Sequence, residues 1–345
     1  MKKIWAVGLG LFVLALVGVY FLFPEVLFNL AVKAGRYSAG LARKEILVDD
    51  HRIVYLDGGK GQTILLLHGF AAGKDNWIRF AKHLTKDYRV VIPDIPGFGE
   101  SSRIQSAYYA MENQLKRIDR FTEVLKIERF HLAGNSMGGT LAALYAAQYP
   151  RKVVTLALLA PGGVGSPNPS ELAILLQKGT NPLLTGSLED FDRLIGLCFT
   201  KPPFIPSQFK KVMMADAAAH RDFNQKIWNE MVENHTKEAS FSIENFLKPH
   251  LPRIEAPVLI IWGDADRILD VGGASVLEKN LKNSRTVIMK DTGHTPMLEK
   301  PRETASHYLN HLKVTSNSHV MSPVYRNVLP SQATFSLSAS VTAAC

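Results

Sequence analysis

Gly134-Asn135-Ser136-Met137-Gly138-Gly139 follows an apolar run, Phe130 to Ala133, and leads into Thr140-Leu141-Ala142-Ala143-Leu144. This G-x-S-x-G spacing suits a sharp strand-to-helix turn, in which glycines two before and two after the serine leave room where side chains would collide. Three fixed positions arise by chance in roughly one chain in ten of this length, so the strand before, the helix after and the third glycine carry the argument. A serine hydroxyl is a weak nucleophile at neutral pH. It needs a general base, and the base needs a partner that fixes its tautomer and stabilises its charged form. Two later loops supply such groups: Gly263-Asp264-Ala265-Asp266 after PVLIIW, and Asp291-Thr292-Gly293-His294 after RTVIM. Of the 11 histidines, His294 alone sits in a glycine-flanked loop directly after a strand-like run, which makes it the candidate base. Asp264 and Asp266 compete for the third role, and spacing alone does not separate them.

Attack on a carbonyl places negative charge on its oxygen, and two fixed backbone N–H donors near 3 Å stabilise that charge by several kcal/mol. The expected donors are Met137, next after the serine, and Phe70, which follows Leu67-His68-Gly69 in a turn at the end of another strand-like run. Other chemistries lack their residues. Pro93-Asp94-Ile95-Pro96-Gly97-Phe98-Gly99-Glu100-Ser101-Ser102 alternates glycines but has neither a following lysine–serine or lysine–threonine pair nor G-x-G-x-x-G, so it is a structural loop and not a phosphate cradle. No H-E-x-x-H or similar ligand spacing occurs, so neither a metal nor any other cofactor is expected.

The elements that must position these residues follow from the apolar pattern. Strand-like runs Thr63 to Leu67, Tyr88 to Ile92, Arg129 to Ala133, Val153 to Leu159, Val258 to Trp262 and Arg285 to Met289 alternate with helices beginning near Asp75, Ala107, Ser136, Gly272 and Pro301. Continuous apolar strands interleaved with helices imply a mostly parallel, doubly wound α/β sheet covered on both faces. An opening hairpin is expected from Ile46–Val48 and Arg52–Leu56 around Asp49-Asp50. The alternation breaks over 161–250, where proline-rich punctuation surrounds amphipathic helical stretches, so this segment is expected to be an inserted helical cap. The core is then 45–160 and 251–313, preceded by an N-terminal anchor and linker over 1–44 and followed by a disordered tail over 314–345.

Composition limits what else the chain can be. Its 345 residues are 46% apolar and 21% charged, which excludes a disordered or collagen-like chain. Two cysteines, Cys198 and Cys345, supply neither a disulfide scaffold nor a zinc ribbon. The net charge of +9 comes from 40 basic and 31 acidic residues scattered in ones and twos, so no nucleic-acid partner is expected. Ile4 to Phe23 carries no charge over 20 residues, long enough at 1.5 Å per residue to span a hydrocarbon core of about 30 Å. The segment is expected to be an uncleaved transmembrane signal anchor. A cleaved, secretory signal is the alternative, given Lys2 and Lys3. Lys33, Arg36, Arg43 and Lys44 offset those lysines in the positive-inside count, and the catalytic part is placed outside the cytosol.

HGFAAGKDNW, PDIPGFGESS, GNSMGG, IWGDAD and TGHTPMLEKP resemble, in order, the signature segments of the α/β-hydrolase superfamily. The resemblance covers about Glu45 to Leu312. It is nearest to lipases of cold-adapted bacteria and to membrane-anchored monoacylglycerol lipases, with LTGSLEDFDRLIGLCFTKPPFIP adding to the bacterial likeness. It implies the α/β-hydrolase fold and a triad of Ser136, Asp266 and His294, choosing the second aspartate over Asp264. It also implies oxyanion donors Phe70 and Met137, and hydrolysis of fatty-acyl esters of glycerol through an acyl-enzyme. The apolar cap residues Leu172, Ile174, Leu175, Leu176, Phe191, Leu194, Phe199, Met213, Met214, Phe223, Ile227 and Trp228 suit a lipid substrate, although most are expected to pack the cap itself. GNSMGG also resembles carbon–carbon bond hydrolases with the same triad, and a membrane-tethered binding protein without activity is a further alternative.

Overall fold

A computed structural model describes residues 5, 18–236 and 245–320. Eight strands form one sheet in the order β1-β2-β4-β3-β5-β6-β7-β8. They are β1 Leu41–Val48, β2 His51–Gly58, β3 Thr63–Leu67, β4 Arg89–Pro93, β5 Phe130–Ser136, β6 Val153–Pro161, β7 Val258–Gly263 and β8 Ser284–Met289. β1 and β2 make the antiparallel hairpin, Asp49 turning it with φ 51°, and β2 runs antiparallel to β4. All remaining pairings are parallel.

Because successive side chains point to opposite faces of a strand, each buried strand feeds two apolar layers. Leu65, Leu67, Val91, Leu132, Leu156, Leu158 and Ile260 face one layer, while Ile64, Leu66, Val90, Ile92, Ala133, Leu159, Leu259 and Ile261 face the other. The first layer is closed by helices over Met111–Val124, Met137–Gln148 and Gly272–Asn280, the second by Ile78–Ala81 and the C-terminal helix Pro301–Val320. Parallel strands bring their carboxyl ends to one edge, so Leu67, Pro93, Ser136, Pro161, Gly263 and Met289 all deliver loops to the same rim.

Between β6 and β7 the described helices are Glu171–Gln177, Leu188–Cys198, Ser207–Ala219 and Arg221–Thr236. Ser170 and Ser187 cap the first two, their hydroxyls accepting from Ala173 N and Asp190 N at 3.1 Å. The insertion is tied down at several points: Arg267 makes a two-pronged pair with Glu171, Lys226 donates to Ala107 O at 2.6 Å, and Tyr109 N donates to Glu230 at 2.7 Å.

Three boundaries differ from the sequence reading. The linker before residue 45 contains a helix, α1, Pro24–Ser38, and β1 begins at Leu41. The C-terminal helix continues to Val320, past the expected end of the core at 313, while residues 321–345 of the expected tail lie outside the described residues. Most of the uncharged run 4–23 also lies outside them, and no described helix is long and apolar enough to cross a membrane.

One buried ion cluster joins α1 to the rim. Lys74, 2% exposed, pairs with the fully buried Asp94 at 2.7 Å and with Glu100 at 2.7 Å. Asp94 also accepts from the backbone N–H of Lys74 and of Glu100 at 2.7 and 2.8 Å. Arg36 of α1 grips Asp75 at 2.6 and 2.7 Å and reaches Glu100 at 3.1 Å; Arg43 of β1 reaches Glu100 at 2.6 Å. Burial works against charge on Glu100, yet hydrogen bonds from Lys74 and Arg43 hold its carboxyl down at about 2.

Removing Asp94 takes from the buried Lys74 its fully buried partner and leaves the N–H groups of Lys74 and Glu100 without their acceptor, so Asp94→Ala is expected to lower unfolding free energy in urea by about 3 kcal/mol. A change within experimental error would rule out a structural role for the pair. A carboxyl depressed in the folded state contributes stability above its unfolded pKa and loses it as pH falls through the folded one. The stability difference between wild type and Glu100→Gln should therefore be full at pH 6 and shrink towards pH 2, as followed by urea unfolding across that range.

Candidate active site

The strained residue at the rim is Ser136, with φ 54° and ψ −122° between β5 and the following helix. Nothing larger than glycine fits two residues to either side: a Cβ at Gly134 would lie 2.1 Å from Gly138 O, and one at Gly138 would lie 2.3 Å from Leu67 O. The helix behind it, Met137–Gln148, is buried on all sides from Met137 to Ala147, which explains its small residues and lack of an amphipathic stripe. Ser136 O is held by Gly162 N at 3.2 Å and Thr140 Oγ1 at 3.3 Å.

His294 and Asp266 meet in the loops after β8 and β7. Asp266 Oδ2 lies 2.8 Å from His294 Nδ1, and both side chains are buried. A carboxylate can only accept, so Nδ1 carries the proton and Nε2 keeps its lone pair. The other oxygen of Asp266 accepts from Ile268 N and Leu269 N at 2.8 and 2.9 Å, which fixes the carboxylate on its own loop. Asp264, the competing aspartate, is exposed and reaches only Thr292 N, at 3.4 Å.

Asn135, beside the serine, donates to Leu159 O at 3.0 Å and to His294 O at 3.1 Å, linking the serine turn to the histidine loop. The insertion grips that loop as well. His294 N donates to Cys198 O at 2.8 Å, and Glu299 accepts from Gly293 N and Lys201 N, both at 2.8 Å. Sequence reasoning gave Asn135 and Cys198 no role. The amide beside a candidate nucleophile was a usable signal, whereas a backbone carbonyl 96 residues from its partner leaves none.

Phe70 and Met137 both line the site. Gly69 runs past the serine so closely that a Cβ on it would sit 3.3 Å from Ser136 Cβ. His68, fully buried, donates through Nδ1 to Gly69 O at 2.8 Å and accepts at Nε2 from Ile95 N at 2.9 Å. Those two bonds require the neutral ring, and burial pushes its pKa down accordingly. Gly69 C=O and Phe70 N–H belong to one trans peptide and point in opposite directions. Holding the carbonyl against His68 therefore turns the Phe70 N–H away from it.

Ser136, Phe70 and Met137 open on a cavity of about 680 Å³. Its walls are Met111, Val164, Leu172, Leu176, Leu183, Trp228, Met231, Phe246, Trp262, Ile268 and Leu269, so three of the expected apolar insertion residues reach it: Leu172, Leu176 and Trp228. Phe70 stacks edge-on with Trp228 and Phe98, at 5.4 and 5.5 Å between ring centres. Among the described lining residues Asp270 is the one ionisable side chain apart from the serine, and no Lys, Arg or His is present. The arrangement suits a long, uncharged, apolar group held beside a serine hydroxyl.

A family model described as the alpha/beta hydrolase fold matches residues 62–301. The fold closely matches a solved structure described as a membrane phospholipase A, with TM-score 0.81 and 41% identity, covering 92% of this chain and 100% of that one. Lipase 1 of Psychrobacter immobilis is 33% identical over 309 residues, 87% of this chain and 94% of the relative. A monoacylglycerol lipase of Xenopus laevis is 31% identical over 319 residues, 88% of this chain and 93% of the relative.

Burial, with the Asp266 carboxylate nearby, pushes the Cys198 thiol up to about 12. At pH 8 the half-buried thiol stays protonated, so a thiol reagent is expected to label Cys198 far more slowly in the folded protein than after denaturation. Rapid labelling of the folded protein at this position, read by peptide mass spectrometry, would contradict the packing of the insertion on the histidine loop.

Proposed function

The chain belongs to the α/β-hydrolase fold family, and from that premise we propose that it is a serine-dependent lipase hydrolysing the carboxylic esters of acylglycerols. The observation that carries this reading is a buried Asp266–His294 hydrogen bond of 2.8 Å at the rim where the strained Ser136 opens on an apolar cavity. His294, with its Nε2 lone pair available, takes the proton of Ser136 as Oγ attacks the ester carbonyl. The N–H groups of Phe70 and Met137 hold the oxyanion, and Asp266 stabilises the imidazolium. The protonated histidine returns its proton to the departing glycerol oxygen, leaving an acyl-enzyme. Water deprotonated by His294 then releases the fatty acid.

The helices between β6 and β7 act as a cap that covers the acyl chain. A neutral glyceride is favoured because the described lining residues offer no cation to a phosphate or to the carboxylate of a ring-cleavage product. The likeness to a phospholipase A supports a second reading, in which the same glycerol ester bond is cut in a phospholipid whose headgroup stays outside the cavity. The uncharged run 4–23 holds the enzyme in a membrane, a reading supported by the likeness to a membrane phospholipase A, and the charges flanking that run favour the catalytic part outside the cytosol.

Ser136→Ala is expected to abolish turnover of a nitrophenyl palmitate while leaving the circular dichroism spectrum and unfolding midpoint in place. Asp266→Asn should keep binding but lower kcat by roughly 10³ to 10⁴, because the imidazole loses the partner that sets its tautomer. Substantial turnover by Ser136→Ala would overturn the assignment. The membrane reading is checked separately by alkaline carbonate extraction of cells making the full chain, with release into the soluble fraction as the contrary result.

A further inference from the structure

Helix α1 carries apolar side chains on two faces, and the protein covers one of them. Phe28 packs edge-on against Phe209 of the insertion at 5.6 Å, and Gly35 faces Ile78 of the core. The opposite face is open. Val26 and Leu30, one turn apart on α1, are 53% and 54% exposed, and Val19, Leu22 and Phe23 just before it are 38%, 73% and 55% exposed. The helix breaks at Phe23, with φ −130° and ψ 49°, and two backbone bonds bridge the break, Phe23 N to Val19 O at 2.9 Å and Leu27 N to Phe23 O at 3.3 Å, so the exposed apolar stripe runs through both segments. Glu25 and Asn29 border it.

A distant part of the chain adds to the same side. Phe204 is 92% exposed in the proline-rich loop Lys201-Pro202-Pro203-Phe204-Ile205-Pro206. Three residues later, Ser207 Oγ lies 3.3 Å from Tyr20 Oη, and Gln208 N donates to that hydroxyl at 3.2 Å. The loop and the start of the N-terminal helix are thus fastened together, with an aromatic ring on one and an apolar stripe on the other. Exposed Lys33, Lys201 and Lys211 lie around them.

From this juxtaposition we propose that the outer stripe of α1 and Phe204 form one surface that lies in the interface of a lipid bilayer, so that the cap touches the membrane directly as well as through the anchor. The proposal rests on the membrane-anchored reading above. Three observations commit the surface to lipid. The stripe follows directly on the run 4–23, with Glu25 the one charged residue up to Leu30. The surface joins two segments through polar contacts spanning 187 and 188 residues that do not cover its apolar groups. Exposed Lys33 on α1 and Lys201 in the Phe204 loop supply cations for headgroup phosphates.

The test reads the depth of position 204. The full chain carrying Phe204→Cys, with Cys198→Ser and Cys345→Ser so that position 204 holds the single thiol, is spin-labelled and reconstituted into vesicles of phosphatidylcholine with one quarter phosphatidylglycerol. Glu128→Cys, in the exposed turn before β5 and at the opposite end of the sheet from Ser136, is the aqueous reference. The expected result is a label at 204 at least about fivefold more accessible to oxygen relative to a water-soluble nickel chelate than the label at 128, the behaviour of a group inside the apolar interface. Equal accessibility at the two sites in a chain that stays with the vesicles overturns this inference and leaves the anchor standing. Dipolar broadening between labels at 204 also overturns it, by assigning the face to a second copy. A chain that does not sediment with the vesicles overturns the anchored reading and this one with it.

Discussion

The turn at Ser136 is the constraint around which the rest is arranged. Holding a side-chain-bearing residue at φ 54° costs on the order of 1–3 kcal/mol, and the turn persists only because both of its arms are fixed. β5 lies in the middle of the sheet, paired to β3 and β6, and the helix that follows is buried through 11 residues. Burying Leu141, Leu144 and Tyr145 at roughly 1.5–3 kcal/mol each offsets the strain. The small residues of that helix are the condition for its close approach to the strands beneath it.

Around the turn, polar groups do the aligning, and nearly all of them bond to main-chain atoms. His68 spans Gly69 O and Ile95 N, Asn135 spans Leu159 O and His294 O, and Asp266 accepts from Ile268 and Leu269 while holding His294. Each side chain joins two rim loops that have no apolar core of their own. Buried polar groups that are fully satisfied fix geometry more sharply than apolar contacts, because their bonds have direction. Among its described lining residues the cavity beside them carries one charged side chain, Asp270, so the rim is polar and directional on one side and apolar on the other.

The sheet was readable from the sequence because buried parallel strands are written as short continuous apolar runs, and the serine turn because its glycines are dictated by backbone contacts within five residues. Asp266 needed either a family resemblance or coordinates. It and Asp264 are equivalent on paper, and only the path of the loop buries one and exposes the other. Helix α1 was missed because it follows the uncharged run 4–23 with only Pro24 to mark its start, and the pairing of Arg36 with Asp75 and Glu100 spans 39 and 64 residues. The end of the C-terminal helix was misplaced because the residues from Val314 are rich in serine and threonine with no sustained apolar period, yet they remain helical to Val320.

The bond from His294 N–H to Cys198 O joins the histidine loop to the insertion through atoms that every residue possesses. A latch of this kind is blind to side-chain identity. Residues 162–197 can exchange one apolar group for another, widening or narrowing the cavity, without altering the peptide that holds the imidazole in place. Selectivity for the guest and alignment of the reacting groups are thereby written in separate alphabets, one in side chains and the other in the main chain.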